Sequence, residues 1–367
     1  MFSDNLKISS RQLKRMMVIN WIGRMNLIIP GIALTVAGGS GAVSIIIGIA
    51  ATLIYALLIC HIAKNIKVSF HAYLVSRIGK LGSLIIKLVY VLFIMISTVF
   101  TIRLLTEIVK QTILPEMNTT IILIIVIATC GYGASGKLEG RARASEAIFG
   151  IIMIPLIIML CLSVSGLKTE YLMDTSIASG GSILKGAIGV FVVFGEISIL
   201  MLTAPYVENE ERIKSKVMQA IVITGIGTLG VFIATLGMFG ENSMKALKWP
   251  IISLMSSVNV PGGFLERWDI IFIMLVIISI FVGISGGIFY VSMMMQEIIR
   301  KKQINIYIIP AMIVIFFAAV SFTDYAAAYN FYISIMTYFF VPITVLITII
   351  LWILECAGKN SVKGGSS

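Results

Sequence analysis

Charge is what this 367-residue chain has least of. Only 12% of its residues are Asp, Glu, Lys or Arg, roughly half of what a soluble domain uses to wet its surface. A soluble globular fold is therefore excluded. Histidine is nearly absent: the two present, His61 and His71, lie ten residues apart at the end of one apolar run and in the loop after it, where they read as interfacial. Neither a histidine-based metal site nor a histidine-activated nucleophile is expected from them. The four cysteines, Cys60, Cys130, Cys161 and Cys356, show no CxxC spacing and fall in or beside apolar runs. They are expected as buried free thiols, with neither a disulfide framework nor zinc. No phosphate loop and no spaced nucleophile set is present either, so no enzyme, cofactor or metal chemistry is expected.

What the chain has instead is hydrophobicity, 59% of residues with a mean hydropathy of +1.04. A membrane-spanning helix needs about 20 apolar residues. Such runs fall at 17–37, 41–62, 83–106, 119–136, 147–166, 183–207, 217–239, 270–295, 304–323 and 331–354. This predicts an all-α membrane protein of ten transmembrane helices, a single domain, with the first run retained and not cleaved as a signal.

Orientation follows from the cations, because Lys and Arg are held on the cytoplasmic side during insertion. The net charge of +11 comes from short basic clusters between the runs, a topology signal and not a nucleic-acid footprint. With ten spans, Lys7 to Arg15, Lys64 to Lys80, Lys137 to Arg143, Arg212 to Lys216, Arg300 to Lys302, and Lys359 with Lys363 share one side. The other side receives only Arg103, Lys110, Lys168, Lys185, Lys245, Lys248 and Arg267. Both termini are expected to be cytoplasmic. The longest outer connection, 240–269, holds Trp249-Pro250 and then an apolar stretch ending at Val260-Pro261-Gly262-Gly263; it fits either a short re-entrant lid helix or a plain loop. The terminal Lys363 to Ser367 reads as a tail.

Ionisable groups inside spans mark cavities or partners, because the bilayer penalises them. Arg24 follows Gly23 in span 1, and Glu196 follows Gly195 in span 6. Spans 1 and 6 are equivalent positions in two five-helix halves, here 17–166 and 183–354. Inverted-repeat transporters break these two helices near mid-membrane to hold substrate on exposed backbone groups. Counted from the inner ends, Arg24 and Glu196 sit roughly 10 and 17 Å deep, a difference a long Arg side chain spans. They are expected to face one cavity lined by Gly23, Arg24, Phe194, Gly195 and Glu196, with Ser285 of span 8 as a further oxygen ligand. The plain alternatives are snorkelling for Arg24 and a neutral buried carboxyl for Glu196. Lys87 and Arg103, near opposite ends of span 3, read as headgroup anchors, with Arg103 and Glu107 spaced to pair as i,i+4. The glycines of spans 7 and 8 read as close helix packing.

Three stretches on this ten-span frame carry a family resemblance. They are Lys137 to Glu146 with Pro155 in the next helix, Phe194-Gly195-Glu196, and Trp249-Pro250 followed by Phe264-Leu265-Glu266-Arg267-Trp268-Asp269. Together they resemble the spore germination permease family, the B subunit of bacterial nutrient germinant receptors, within the amino acid-polyamine-organocation superfamily. The resemblance implies an inverted 5+5 repeat of the LeuT/APC kind with helices 1 and 6 broken. It also implies a small nutrient germinant such as an amino acid, receptor A and C subunits as partners, and the spore inner membrane as location. On the same basis Glu139, Arg143, Glu146, Trp249, Glu266, Arg267 and Asp269 are candidates for gating or subunit contact. Residue by residue, Glu139 and Arg143 are also an i,i+4 pair, and the plain alternative for Glu266, Arg267 and Asp269 is a charged helix start. The alternative function is a proton-coupled amino-acid permease with Glu196 as the proton carrier. Span 1 departs from the superfamily's small-residue break, since it reads Gly23-Arg24-Met25-Asn26. Arg24 then either takes a ligand carboxylate itself or fills the pocket and narrows the ligand range.

Overall fold

A computed structural model describes residues 7–173, 178–257, 268–299 and 304–363. The described residues fold as helices: α1 Ser10–Ala37, α2 Gly41–Ala63, α3 Phe70–Thr112, α4 Thr119–Ala134, α5 Lys137–Ser163, α6 Thr169–Met173, α7 Gly180–Phe194, α8 Leu200–Thr203, α9 Glu210–Ala246, α10 Pro250–Ser257, α11 Trp268–Ile299, α12 Asn305–Val320, α13 Tyr325–Ile335 and α14 Val341–Lys363. Among them there is no strand, only a single parallel bridge between Ile8 and Val207.

Among the described residues, seven helical stretches are long and apolar enough to cross a membrane, the first of them, Ser10–Ala63, containing both α1 and α2. The protein is a multi-pass membrane protein. Helices α4 and α12 are apolar but have 16 residues each, about 24 Å of rise against a hydrocarbon core of about 30 Å. The outward faces are apolar at helical spacing: Ile151, Ile154, Ile157 and Ile158 of α5 are all exposed, as a lipid-facing stripe requires.

Helix α1 is the axis of the bundle. From Met16 to Pro30 every residue except Asn20 is buried, and the helix packs against α9, α11, α7 and α5. A helix apolar on all sides belongs in the middle of a bundle. Its start is fixed by a capping box in which Ser9 and Gln12 satisfy each other's backbone N–H groups. Its end turns at Gly38, whose φ of 54° suits a residue without Cβ, and Gly38–Ser40 leads straight into α2.

The expectation of a broken first helix is corrected here. Helix α1 runs as continuous α-helix through Gly23 and Arg24. The physical reason lies in α11: the Ser279 hydroxyl accepts from Gly23 N at 3.1 Å and donates to Ile19 O at 2.5 Å. Those are the donor and acceptor of one i→i−4 pair, so a side chain serves the backbone groups that a break would expose. The sixth span does depart from α-geometry. Helix α7 ends at Phe194, Gly195–Ile199 tightens to a 3₁₀ turn, and α8 is one α turn before a second 3₁₀ turn over Ala204–Tyr206. Such tightening inside a helix marks a local irregularity.

Two further expectations change. Lys87 and Arg103 are 3% and 5% exposed, so neither reaches out as a headgroup anchor. The Lys87 Nζ lies 2.9 Å from His71 Nδ1, inside the protein. Of the cysteines, Cys60 and Cys130 are buried, but Cys161 is exposed and Cys356 half-buried, because apolar surface in this fold faces lipid as readily as core.

Candidate functional site

The two intramembrane charges meet. Arg24 Nη1 lies 2.5 Å from Glu196 Oε1, with the Arg side chain 4% and the Glu side chain 17% exposed. Helix α3 supplies the rest of the shell. Arg24 Nη1 also donates to Ser97 Oγ at 2.9 Å and Thr101 Oγ1 at 3.3 Å, and Ser97 Oγ donates to the Glu196 carboxylate. Ser97 and Thr101 are one turn apart, which puts both hydroxyls on the face of α3 turned to α1. Arg24 Nε and Nη2 and the neighbouring Asn20 Oδ1 are orphaned polar atoms, buried with no partner. Such groups normally find one.

These groups line a cavity of about 80 Å³ with Trp21, Thr98, Thr203 and Tyr290. From the ion pair it extends past Leu13, Met16 and Met17, toward the N-terminal end of α1. Gly283, Gly286 and Gly287 of α11 form one wall without side chains. These glycines were expected to serve packing alone; they also leave room for the cavity. Behind that wall Arg141 is buried, its guanidinium 5.3 Å from the rings of both Phe289 and Tyr290.

Of the six residues expected to bind ligand, Arg24 and Glu196 line this cavity and the other four do not. Gly23 faces Ser279 on α11. Phe194 is 1% exposed and packs edge-on against Trp21 at 5.7 Å, so it supports the wall from behind. A Cβ on Gly195 would sit 2.8 Å from Val341 Cγ2, which makes this glycine a helix-crossing point. Ser285 points toward Gly133 of α4, on the side of α11 away from the ion pair. The hydroxyls of Ser97, Thr98 and Thr101 were the residues missed. Their signal is three hydroxyl residues within five positions in the middle of span 3.

The gating candidates divide by end of the bundle. At the N-terminal end, Glu146 of α5 takes an ion pair from Arg15 and a 3.1 Å hydrogen bond from Gln12 Nε2. The start of α1 is thereby clamped to α5. The same end is tied to the sixth span by Ile8 N donating to Tyr206 O and Glu208 N donating to Ile8 O, both at 2.8 Å. Glu139 and Arg143 pair along α5. At the far end, Trp249 is 6% exposed; its Nε1 donates to Gln111 Oε1 of α3 at 2.9 Å and its ring lies 5.1 Å from Tyr325 of α13. It anchors α10, a short helix whose Pro250, Ile251, Leu254 and Met255 are buried against α9, α11 and α1. Replacing Trp249 with Phe keeps an aromatic ring but deletes the hydrogen bond and part of the buried indole, so it is expected to weaken this docking by about 1–3 kcal/mol, read as faster amide exchange across 250–257 with the rest of the bundle unchanged. Asp269 is half-buried in the first turn of α11. Glu266 and Arg267 lie outside the described residues. No group of three or more metal-ligating side chains occurs among the described residues.

An all-helical bundle with a charged pair buried beside a cavity and an irregular sixth span defines a transporter-like membrane protein. The family model described as "Spore germination protein" matches residues 7–327, and the chain belongs to this spore germination permease family. Among curated proteins it is similar to spore germination protein YndE of Bacillus subtilis (strain 168), 21% identical over 83% of this chain and 85% of the relative. It is similar also to spore germination protein B2 of that organism, 21% identical over 78% of each chain, and to its spore germination protein KB, 23% identical over 79% and 76%. Among solved structures, a Na+-coupled sialic acid symporter in a substrate-bound outward-open state superposes with a TM-score of 0.70 over 93% of this chain and 78% of that one, at 13% identity. The fold is therefore that of a LeuT-type transporter.

Proposed function

We propose that the chain is the B subunit of a spore germinant receptor, and that an amino acid occupies the cavity between Arg24 and Glu196. The observation that carries this reading is the ion pair with its spare polarity: a buried cation and a partly buried anion, two unpartnered guanidinium nitrogens and an unpartnered amide oxygen around one small cavity. An amino acid presents both complementary charges in one molecule. Its carboxylate goes to Arg24 and its ammonium to Glu196, exchanging one protein ion pair for two ligand contacts. Because the ligand contacts span α1, α3 and the sixth span together, it binds one arrangement of these elements better than another and so shifts their equilibrium.

The same reading takes α1 to α5 and α7 to α14 as two inverted five-helix halves crossing the membrane ten times. The second helix within Ser10–Ala63 and the two short apolar helices supply the three spans beyond the seven long stretches. Both termini then face the cytoplasm, receptor A and C subunits are the partners, and the spore inner membrane is the site of action.

Binding and uptake of labelled amino acid by the full chain in liposomes test this. Saturable binding without accumulation is expected, and Glu196→Gln is expected to weaken it roughly tenfold or more, as loss of a charge-assisted contact does. Accumulation driven by a pH gradient would assign the chain to proton-coupled permeases instead. Absence of any amino-acid binding would remove the ligand assignment.

A further inference from the structure

Helix α3 carries a second charged face. Arg103 is two residues beyond Thr101, about 200° round the helix, so it points away from the Arg24–Glu196 cavity. With Glu107 and Lys110 it forms an i, i+4, i+7 stripe at the far end of the bundle. The stripe lines a cavity of about 550 Å³ shared with Thr119 and Thr120 at the start of α4 and with Thr323 and Asp324 at the start of α13. None of its lining residues belongs to the central cavity. Its volume is in the range that holds small molecules.

Its walls carry two cations, Arg103 and Lys110, and two carboxylates, Glu107 and Asp324. Arg103 is 95% buried by its 5% exposure, and among the described residues nothing accepts a hydrogen bond from its guanidinium; its Nε is wholly buried and orphaned. Both carboxylates hold other partners through one oxygen each. Glu107 Oε1 takes Lys248 Nζ at 2.7 Å and Gln111 Nε2 at 2.6 Å, so the i,i+4 pairing with Arg103 expected from spacing is not made. Asp324 Oδ1 accepts from Ala327 N at 2.7 Å as the cap of α13. Lys110 gives one N–H to Thr119 Oγ1 at 2.9 Å and keeps two more. The walls thus offer a buried guanidinium and an ammonium with donors to spare, beside two carboxylates that each already hold partners through one oxygen.

The geometry points to an oxyanion site in this cavity, in which Arg103 and Lys110 hold one singly charged carboxylate or phosphate group. Two sources present that chemistry, a small carboxylate from solution and the headgroup phosphate of an anionic lipid, and the test separates them. The full chain is placed in phosphatidylcholine nanodiscs, and its unfolding midpoint is followed against sodium acetate, with sodium chloride at equal ionic strength as the control. In a parallel arm phosphatidylglycerol replaces part of the phosphatidylcholine. A saturable rise with acetate assigns a soluble ligand, and a rise confined to phosphatidylglycerol assigns a lipid. In either case Arg103→Gln and Lys110→Gln weaken the effect by roughly tenfold or more, while Arg103→Lys retains part of it. Should Arg103→Gln fail to fold, Lys110→Gln and Arg103→Lys carry the comparison. The effect persists in the double variant Arg24→Met with Glu196→Leu, which removes both central charges and so separates it from the central site. No saturable rise in either arm, or a rise that the Arg103 and Lys110 variants leave intact, overturns the assignment.

Discussion

Replacing Glu196 with leucine is expected to destabilise the protein by about 3–5 kcal/mol, because it strands a buried guanidinium without its anion. Arg24 would keep only the hydroxyl oxygens of Ser97 and Thr101, neutral acceptors that do not compensate a full charge. Arg24→Met strands Glu196 in the same way, with Ser97 as its remaining donor. The double change Arg24→Met with Glu196→Leu removes both charges at once and is expected to recover most of the loss, since a buried pair replaced by apolar groups is often neutral or better. Unfolding of the full chain in detergent, followed by urea titration, measures all three. Additive losses in the double variant would mean the two side chains act separately. The charge swap Arg24→Glu with Glu196→Arg is a stricter comparison: a swap no more stable than either single reversal would leave the pair without energetic meaning. Stability and ligand response separate in this design, because the apolar double variant folds but lacks both ligand charges.

The pair itself was legible in the sequence because the bilayer makes an intramembrane charge conspicuous, and only two sat next to glycine at equivalent positions in the two halves. The cavity around it was not. Hydroxyls inside an apolar helix carry little signal, since Ser and Thr commonly bond back to the preceding turn, as Thr101 does to Ser97 O at 2.7 Å. Which of them also faces a partner depends on helix rotation, and that is set by packing against three or four neighbours at once. Arg103 was misread for the same reason. Its place near a helix end resembles an anchor, but α4 and α13 close over it. The clamps at the ends were half legible. Glu146 stood out in a charged stretch of α5, yet its partners Gln12 and Arg15 lie more than 130 residues away, a distance that only the folded chain removes.

Helix 1 shows how a glycine beside a charge can be read correctly as special and wrongly as broken. Gly23 does have a role that no other residue fits, but the role is contact. A Cβ there would lie 2.6 Å from Ser279 Oγ, 2.8 Å from Ser279 Cβ and 3.2 Å from Val276 O. Gly23→Ala is therefore expected to push α1 from α11, to displace the Ser279 hydroxyl from Ile19 O and Gly23 N, and to cost about 1–3 kcal/mol as an overpacked core does. Ser279→Ala removes the nearer Oγ but leaves Cβ at 2.8 Å, so it relieves part of the crowding in this background, and Ser279→Gly relieves more, while both give up the hydroxyl's bonds to Gly23 N and Ile19 O. The displacement also turns Arg24 one residue on, so amino-acid binding falls with stability in Gly23→Ala and returns in the double variant. Thermal unfolding and binding on the same four proteins decide the matter. If Gly23→Ala is tolerated without change, or if Ser279→Gly does nothing for it, the two helices are not in backbone contact at this point, and the continuity of α1 through the cavity has another cause.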